Sequence, residues 1–165
     1  MHPPPDRVFE ADEIFGALAR HRVDFVVIGG VAVQAHGYIR GTQDLDVIAE
    51  PTILNLTRLA EALHELEAEL RVPGRISLDD PHALKRAPLV PVMTRFGPLD
   101  VVNVEHVAGP PSSYDALRAG ALVVSLDGLE VPVAGLSDLI RMKRAAGRDQ
   151  DLMDIEALTR DPEST

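Results

Sequence analysis

Asp44 and Asp46 stand one residue apart in the stretch Val26–Glu50, VVIGGVAVQAHGYIRGTQDLDVIAE. Leu45–Ala49 reads as a strand. Strand side chains alternate with period two, so both carboxylates point to one side of a sheet. Two anions held there repel each other unless a cation sits between them. Upstream, an apolar run ends in Gly29-Gly30. A glycine turn lets backbone N–H groups come close to a phosphate, and an acidic pair binds a hard cation. Together the two features suit a nucleotide triphosphate carried by Mg²⁺. Each has a plainer reading as well: an acidic pair on an exposed strand face, and a tight strand-to-helix turn. The segment is not a Walker loop, because no Gly-Lys-Ser/Thr follows, and it lacks the Gly-x-Gly-x-x-Gly of dinucleotide sites.

These residues resemble the core of the polymerase-β-type nucleotidyltransferase superfamily, in which an apolar strand, a Gly-Gly or Gly-Ser turn and an Asp-x-Asp strand follow in that order. The matching positions are Gly29, Gly30, Asp44 and Asp46, with Asp100 in FGPLDVVN as the third carboxylate. The spacer carrying Arg40 and Thr42, and the C-terminal segment LSDLIRMKRAAGRDQDLMDIEAL, are similar to a small bacterial branch that includes minimal nucleotidyltransferases and AbiEii-type toxins. The likeness runs from Phe25 to Leu158. It implies an α/β (α+β) nucleotidyltransferase fold, with a mixed central sheet and helices packed around it. It also implies catalytic and metal roles for Asp44, Asp46 and Asp100, holding one or two Mg²⁺ ions with an NTP as substrate. Asp100 would complete the metal site and help deprotonate the attacking hydroxyl. Gly29, Gly30, Arg40, Thr42 and Lys143 become the nucleotide-binding candidates.

The alternatives stay open residue by residue. Asp100 could be a turn residue after Gly97-Pro98, and Glu105 is a rival third carboxylate. Arg40 could merely screen the acidic pair. Lys143, with Arg141 and Arg144, could simply favour a helix C-terminus. Asp149, Asp151 and Asp154 open the last helix, where carboxylates suit the helix dipole. His36 and Tyr38 could line the pocket or only pack. The six histidines show no metal-ligand spacing such as His-Glu-x-x-His.

Composition narrows the classes further. The chain has 165 residues, is 45% apolar and carries a formal net charge of −10, which argues against broad non-specific binding to nucleic acid. No run is long enough to cross a membrane, and MHPPPDR lacks the apolar core of a signal peptide. There is no cysteine, so disulfides and Cys-type zinc sites are excluded and a cytoplasmic address is the default. Lys85 and Lys143 are the only lysines.

The elements that must position the carboxylates follow from hydrophobic period and turn residues. Residues 1–8 read as a loose N-terminal segment, and 9–160 as a single domain without repeats. A helix is expected over Phe9–Arg20, a strand over Val23–Ile28 and a short helix over Val31–His36. Apolar residues from Ile53 through Leu66 to Leu70 predict a long helix opened by Pro51 and ended by Pro73-Gly74. Residues 75–88 resist assignment. Strands are expected over Leu89–Phe96 and Leu99–Val104 about a Gly97-Pro98 turn, and a hairpin about Asp127-Gly128. Ser112–Ala119 reads as a short helix. Helices over Ser137–Ala146 and Asp149–Thr159 close the chain.

The expected activity is Mg²⁺-dependent transfer of a nucleoside monophosphate from an NTP to a hydroxyl, with release of pyrophosphate. The toxin-like branch suggests a toxin of a toxin–antitoxin system acting on RNA or protein, with an antitoxin or a homo-oligomer as partner. Arg40, Arg141, Lys143, Arg144 and Arg148 would then form a positive rim around the acidic centre. The alternatives are an antibiotic (aminoglycoside-type) nucleotidyltransferase and a non-catalytic nucleotide-binding module.

Overall fold

The structure is a computed structural model and describes residues 9–38, 41–107, 109, 111, 113–126 and 128–160. The expected loose segment 1–8 lies outside the described residues. Helix α1 (Ala11–Arg20) leads into strand β1 (Phe25–Ile28), which passes into helix α2 (Gly29–Ala35), and strand β2 (Leu45–Ala49) follows. Helix α3 (Ile53–Glu65) lies between β2 and the short strand β3 (Glu69–Leu70). Helix α4 (Pro81–Arg86), the hairpin β4 (Leu89–Thr94) and β5 (Gly97–Val102), and helix α5 (Tyr114–Ala119) come next. The chain finishes with the hairpin β6 (Leu122–Leu126) and β7 (Leu129–Val133), then helices α6 (Leu136–Ala146) and α7 (Asp149–Thr159).

The strands form one mixed sheet in the order β3-β4-β5-β2-β1-β7-β6. β2 runs parallel to β5 and antiparallel to β1, which is itself parallel to β7. The three central strands are apolar because both faces are covered, and Val26, Val27, Leu45, Ile48 and Leu99 are fully buried. Phe15 of α1 stacks on Phe25 of β1 with ring centroids 6.0 Å apart. Buried Asn55 of α3 ties the far end of β1 to β2. Its Oδ1 accepts from the Asp24 N–H at 2.7 Å, and its Nδ2 donates to the Asp24 and Glu50 carbonyls at 2.9 Å each. That lock fixes the register on which the site depends.

Three local expectations are corrected. The long helix ends at Glu65, and Glu67 takes a left-handed φ of 53°, which turns the chain out of the helix. Leu70, expected on the helix, instead pairs with Val92 as edge strand β3. The β4–β5 turn is Arg95-Phe96 rather than Gly97-Pro98: Gly97 pairs with Thr94, and Pro98 with Met93. Gly97 is required there because its φ is +121° and a Cβ would stand 2.7 Å from the Phe9 ring. The unassigned stretch contains α4, started by Pro81 and capped by the Asp80 carboxylate, which accepts from the His82 N–H at 2.9 Å.

Candidate active site

β1 runs straight into α2 at Gly29, whose φ is +71°. A Cβ at this position would lie 2.2 Å from Asp46 Oδ2. Glycine therefore serves two needs here: the left-handed turn and the close approach of the Asp46 carboxylate. Gly30 is the buried second residue of α2.

The sheet register brings the carboxylates together. Asp46 on central strand β2 is paired with Ile28 of β1 on one side and with Asp100 of β5 on the other. Asp44 stands just ahead of β2. Asp44, Asp46 and Asp100 each offer an oxygen, and those oxygens all lie within 4.8 Å of one another. Burial, reinforced by the charges of Asp44 and Asp100 and by a hydrogen bond with Asp100, pushes the Asp46 carboxyl up to about 7. Lys143 acts on it in the opposite direction. An all-carboxylate set strained by its own repulsion is the donor chemistry of a hard divalent cation, so these residues fit Mg²⁺.

Other side chains hold the cluster in place. The Thr42 hydroxyl donates to the Asp44 carbonyl at 3.2 Å and to its Oδ1 at 3.3 Å, so it orients that carboxylate. The Arg71 guanidinium pairs with Asp100. Arg71 carries no signal of its own in the sequence, because the apolar period of Ile53 to Leu70 continues the helix up to it. An open cavity of about 560 Å³ adjoins the cluster, lined by Gly41, Thr42, Gln43, Asp44 and Pro98. Glu105 lies beyond β5 in a single 3₁₀ turn, away from the three aspartates. The His36 ring bonds to the Ala134 carbonyl at 2.8 Å, which packs the end of α2 on the end of β7. Arg40 lies outside the described residues.

Lys143 is buried between α6 and α7. Its Nζ is 2.9 Å from Asp154 and 3.4 Å from Asp151. Arg148 is mostly exposed and reaches Asp151 at 2.7 Å, and the charges of Asp46 and Asp44 reach it too. Burial alone would raise the Asp151 carboxyl. The Arg148 hydrogen bond and charge, with the Lys143 charge, hold it below the usual range. Arg141 pairs with Asp138 at 2.8 Å. The basic residues expected as a positive rim thus have acidic partners at Arg141, Lys143 and Arg148.

Comparison with known proteins bears on the fold that carries these residues. The lincosamide antibiotic adenylyltransferase LnuA, in its lincomycin-bound form, superposes with a TM-score of 0.65 at 12% identity, covering 93% of this chain and 98% of that one. A nucleotidyltransferase-type protein of Thermotoga maritima, TM1012, gives a TM-score of 0.58 at 13% identity, over 89% of this chain and 88% of that one. ANT(2")-Ia in complex with adenylyl-2"-tobramycin gives 0.57 at 11% identity, over 90% and 84%. At these identities the likeness shows the fold: a mixed α/β nucleotidyltransferase fold. Curated protein sequences give no match. Among the described residues no helix is long and apolar enough to cross a membrane. A family profile described as a nucleotidyltransferase of unknown function, DUF6036, matches residues 6–159, and the chain belongs to that nucleotidyltransferase family.

Proposed function

We propose that this protein is a Mg²⁺-dependent nucleotidyltransferase that moves a nucleoside monophosphate from an NTP to an acceptor hydroxyl and releases pyrophosphate. The observation that carries this reading is the convergence of Asp46 and Asp100, paired on adjacent strands, with Asp44 just ahead of β2 and too little positive charge among them. In this reading the three aspartates hold the metal. When bound, Mg²⁺ neutralises the phosphate oxygens and the charge that develops on the leaving pyrophosphate. Gly29 keeps the turn beside Asp46 open to a phosphate. Thr42 fixes the Asp44 carboxylate. Asp100, paired with Arg71, accepts the proton of the acceptor hydroxyl. Arg148 and Lys143 lend positive field from the α6–α7 side.

The charge distribution favours a small hydroxyl-bearing acceptor over RNA. The net charge is −10, and three of the basic residues near the cleft already have acidic partners. At these three residues a polyanionic acceptor would meet little free positive charge. Two of the similar folds bind antibiotics or their adenylylated products, which makes aminoglycosides and lincosamides the first acceptors to try. The toxin reading, with an RNA or protein acceptor, rests on the resemblance of the spacer and the C-terminal segment.

The test is incubation with each α-labelled NTP and Mg²⁺, adding antibiotics, cell RNA or cell protein in turn. Label should pass to one acceptor class with pyrophosphate released, and Asp46→Asn should abolish it. Pyrophosphate release that is unchanged in Asp46→Asn would defeat the reading. Growth arrest on expression, relieved by Asp44→Ala, would favour the toxin role over the small-molecule one.

A further inference from the structure

The two edges of the sheet are built differently. At one edge β3 is two residues long, Glu69-Leu70, with Glu67 and Arg71 beside it. Short length and flanking charge are the usual protections of an edge strand. At the other edge β6 reads Leu-Val-Val-Ser-Leu, with no charge and no proline. Leu122 and Val123 are each 46% exposed and Leu126 is 37% exposed.

The backbone of β6 has a defined open side. Ala134 donates to the Val27 carbonyl at 2.9 Å, so the residues of β7 that face β1 are Ala134 and Pro132. Val133, Val131 and Leu129 therefore face β6, where they are paired with Leu122, Val124 and Leu126. A residue directs its N–H and C=O to one side, and neighbours alternate. Val123 and Ser125 thus turn their N–H and C=O groups outward. Among the described residues, no backbone bond reaches them from outside the hairpin.

We propose that β6 is a self-pairing edge, on which two copies of this chain join β6 to β6 antiparallel about a two-fold axis at Val124. This register is self-complementary in three ways. It sets Val123 opposite Ser125 of the second copy, and both are the outward-facing residues that can exchange hydrogen bonds. It sets Leu122 opposite the second copy's Leu126, and Val124 opposite its counterpart, giving an uninterrupted apolar ladder on one face. It places no charge against a like charge, in a chain whose net charge of −10 makes most self-contacts repulsive. That same face carries α1 and α2, and a cavity of about 520 Å³ lies there between Phe15, Val31, Leu126 and Val131. The second copy's Leu122 would stand beside Leu126 at its flank. This adds apolar contact that a five-residue strand pair needs to approach the roughly 800 Å² per partner of a stable interface. The inference is independent of the proposed activity.

Mass in solution, measured by light scattering or sedimentation at about 100 μM, where micromolar association is saturated, reads the proposal directly. The expected mass is twice that of the chain. Val123→Pro removes only an outward N–H, so it should restore the single-chain mass without loss of folded signal. The chain lacks cysteine, so introduced thiols report register without background. Val124→Cys should form a covalent dimer under mild oxidation, because closely opposed strand positions approach the span of a disulfide. Leu122→Cys alone should not, whereas Leu122→Cys mixed with Leu126→Cys should. A single-chain mass at about 100 μM overturns the proposal. So does a dimer whose Val124→Cys form resists oxidation, or one that survives a folded Val123→Pro. If Val123→Pro unfolds the chain, the cysteine series alone decides.

Discussion

Asp151 and Asp154 on α7 are nearly free of solvent contact, yet each has a cation within reach; Asp46 is less deeply buried and is crowded by two further aspartates. The same residue type has been placed in two opposite electrostatic settings a short distance apart. Around Lys143 the charges are matched: Asp154 at 2.9 Å, Asp151 at 3.4 Å and Arg148 on Asp151 at 2.7 Å. Around Asp46 they are not, since the Arg71 pair answers Asp100 and leaves Asp44 and Asp46 in excess. A matched buried cluster holds helices together, whereas an unmatched one is prepared for a ligand of opposite charge. Function is therefore expected where the charge is left over, and stability where it is closed.

The sharpest way to break this contrast is to neutralise one member of each cluster. Asp46→Asn keeps the side-chain shape and removes the charge that a metal requires. Losing several kcal/mol of transition-state stabilisation should cut kcat on the order of 10³-fold or more in the pyrophosphate-release assay. The metal-free protein should lose no stability, because the change relieves repulsion. A collapse of the fold would move Asp46 into the structural class.

Lys143→Met should do the reverse. It leaves Asp151 and Asp154 buried without their shared cation, and breaking such a pair costs about 3–5 kcal/mol. Urea unfolding should show it as a lowered midpoint. Lys143 also lends field to Asp46, so NTP affinity should weaken as well. A variant of unchanged stability with weakened NTP binding would show that Lys143 belongs to the site rather than to the scaffold.

A smaller effect is expected at the glycine turn. Gly29→Ala meets a left-handed φ of +71° and the Asp46 carboxylate at 2.2 Å. The backbone conformation alone costs about 1–2 kcal/mol, and displacing Asp46 should lower activity beyond what the stability loss explains. Gly41→Ala, with open space around it, should stay within about 0.5 kcal/mol of wild type in thermal unfolding.

Legibility in the sequence followed how local each cause was. Asp44 and Asp46 flank Leu45 at the start of β2, and Gly29-Gly30 marks the turn beside them, so their types and spacing were readable directly. Asp100 needed the family resemblance, since its pairing with Asp46 is set by a parallel register between strands far apart in the chain. Arg71 was hidden because Leu66 and Leu70 keep helical spacing, while the turn at Glu67 that breaks the helix is driven by β3 pairing with β4. The Lys143–Asp154 pair was missed for a related reason. Each residue had a sufficient local explanation at a helix end, and only the packing of α6 on α7 brings them together. Pro98 misled because proline suggests a turn. Here it sits next to the closing Thr94–Gly97 pair, with its nitrogen facing away from β4, so no ladder bond is lost.

The smallest effect, and the one most specific to an unmatched cluster, is the pH dependence of the metal-free protein. The Asp46 carboxyl is raised from 3.8 to about 7 by burial and by its acidic neighbours. Between those values the folded state keeps a proton that the unfolded state has released. Stability from this group is therefore full below about pH 4, falls as pH rises through that window, and is lost above about 7. Because the carboxylate is partly reached by solvent, the loss is discounted to about 1–3 °C in melting temperature. Asp46→Asn should remove this slope, so the two melting curves should meet near pH 4 and separate by pH 8 with the variant higher. Mg²⁺ should reverse the order at pH 8, stabilising the wild type with concentration and leaving the variant nearly unmoved. A gap between the two melting curves that does not change from pH 4 to 8 without metal would mean that Asp46 is already compensated, and the distinction between the two clusters would fail.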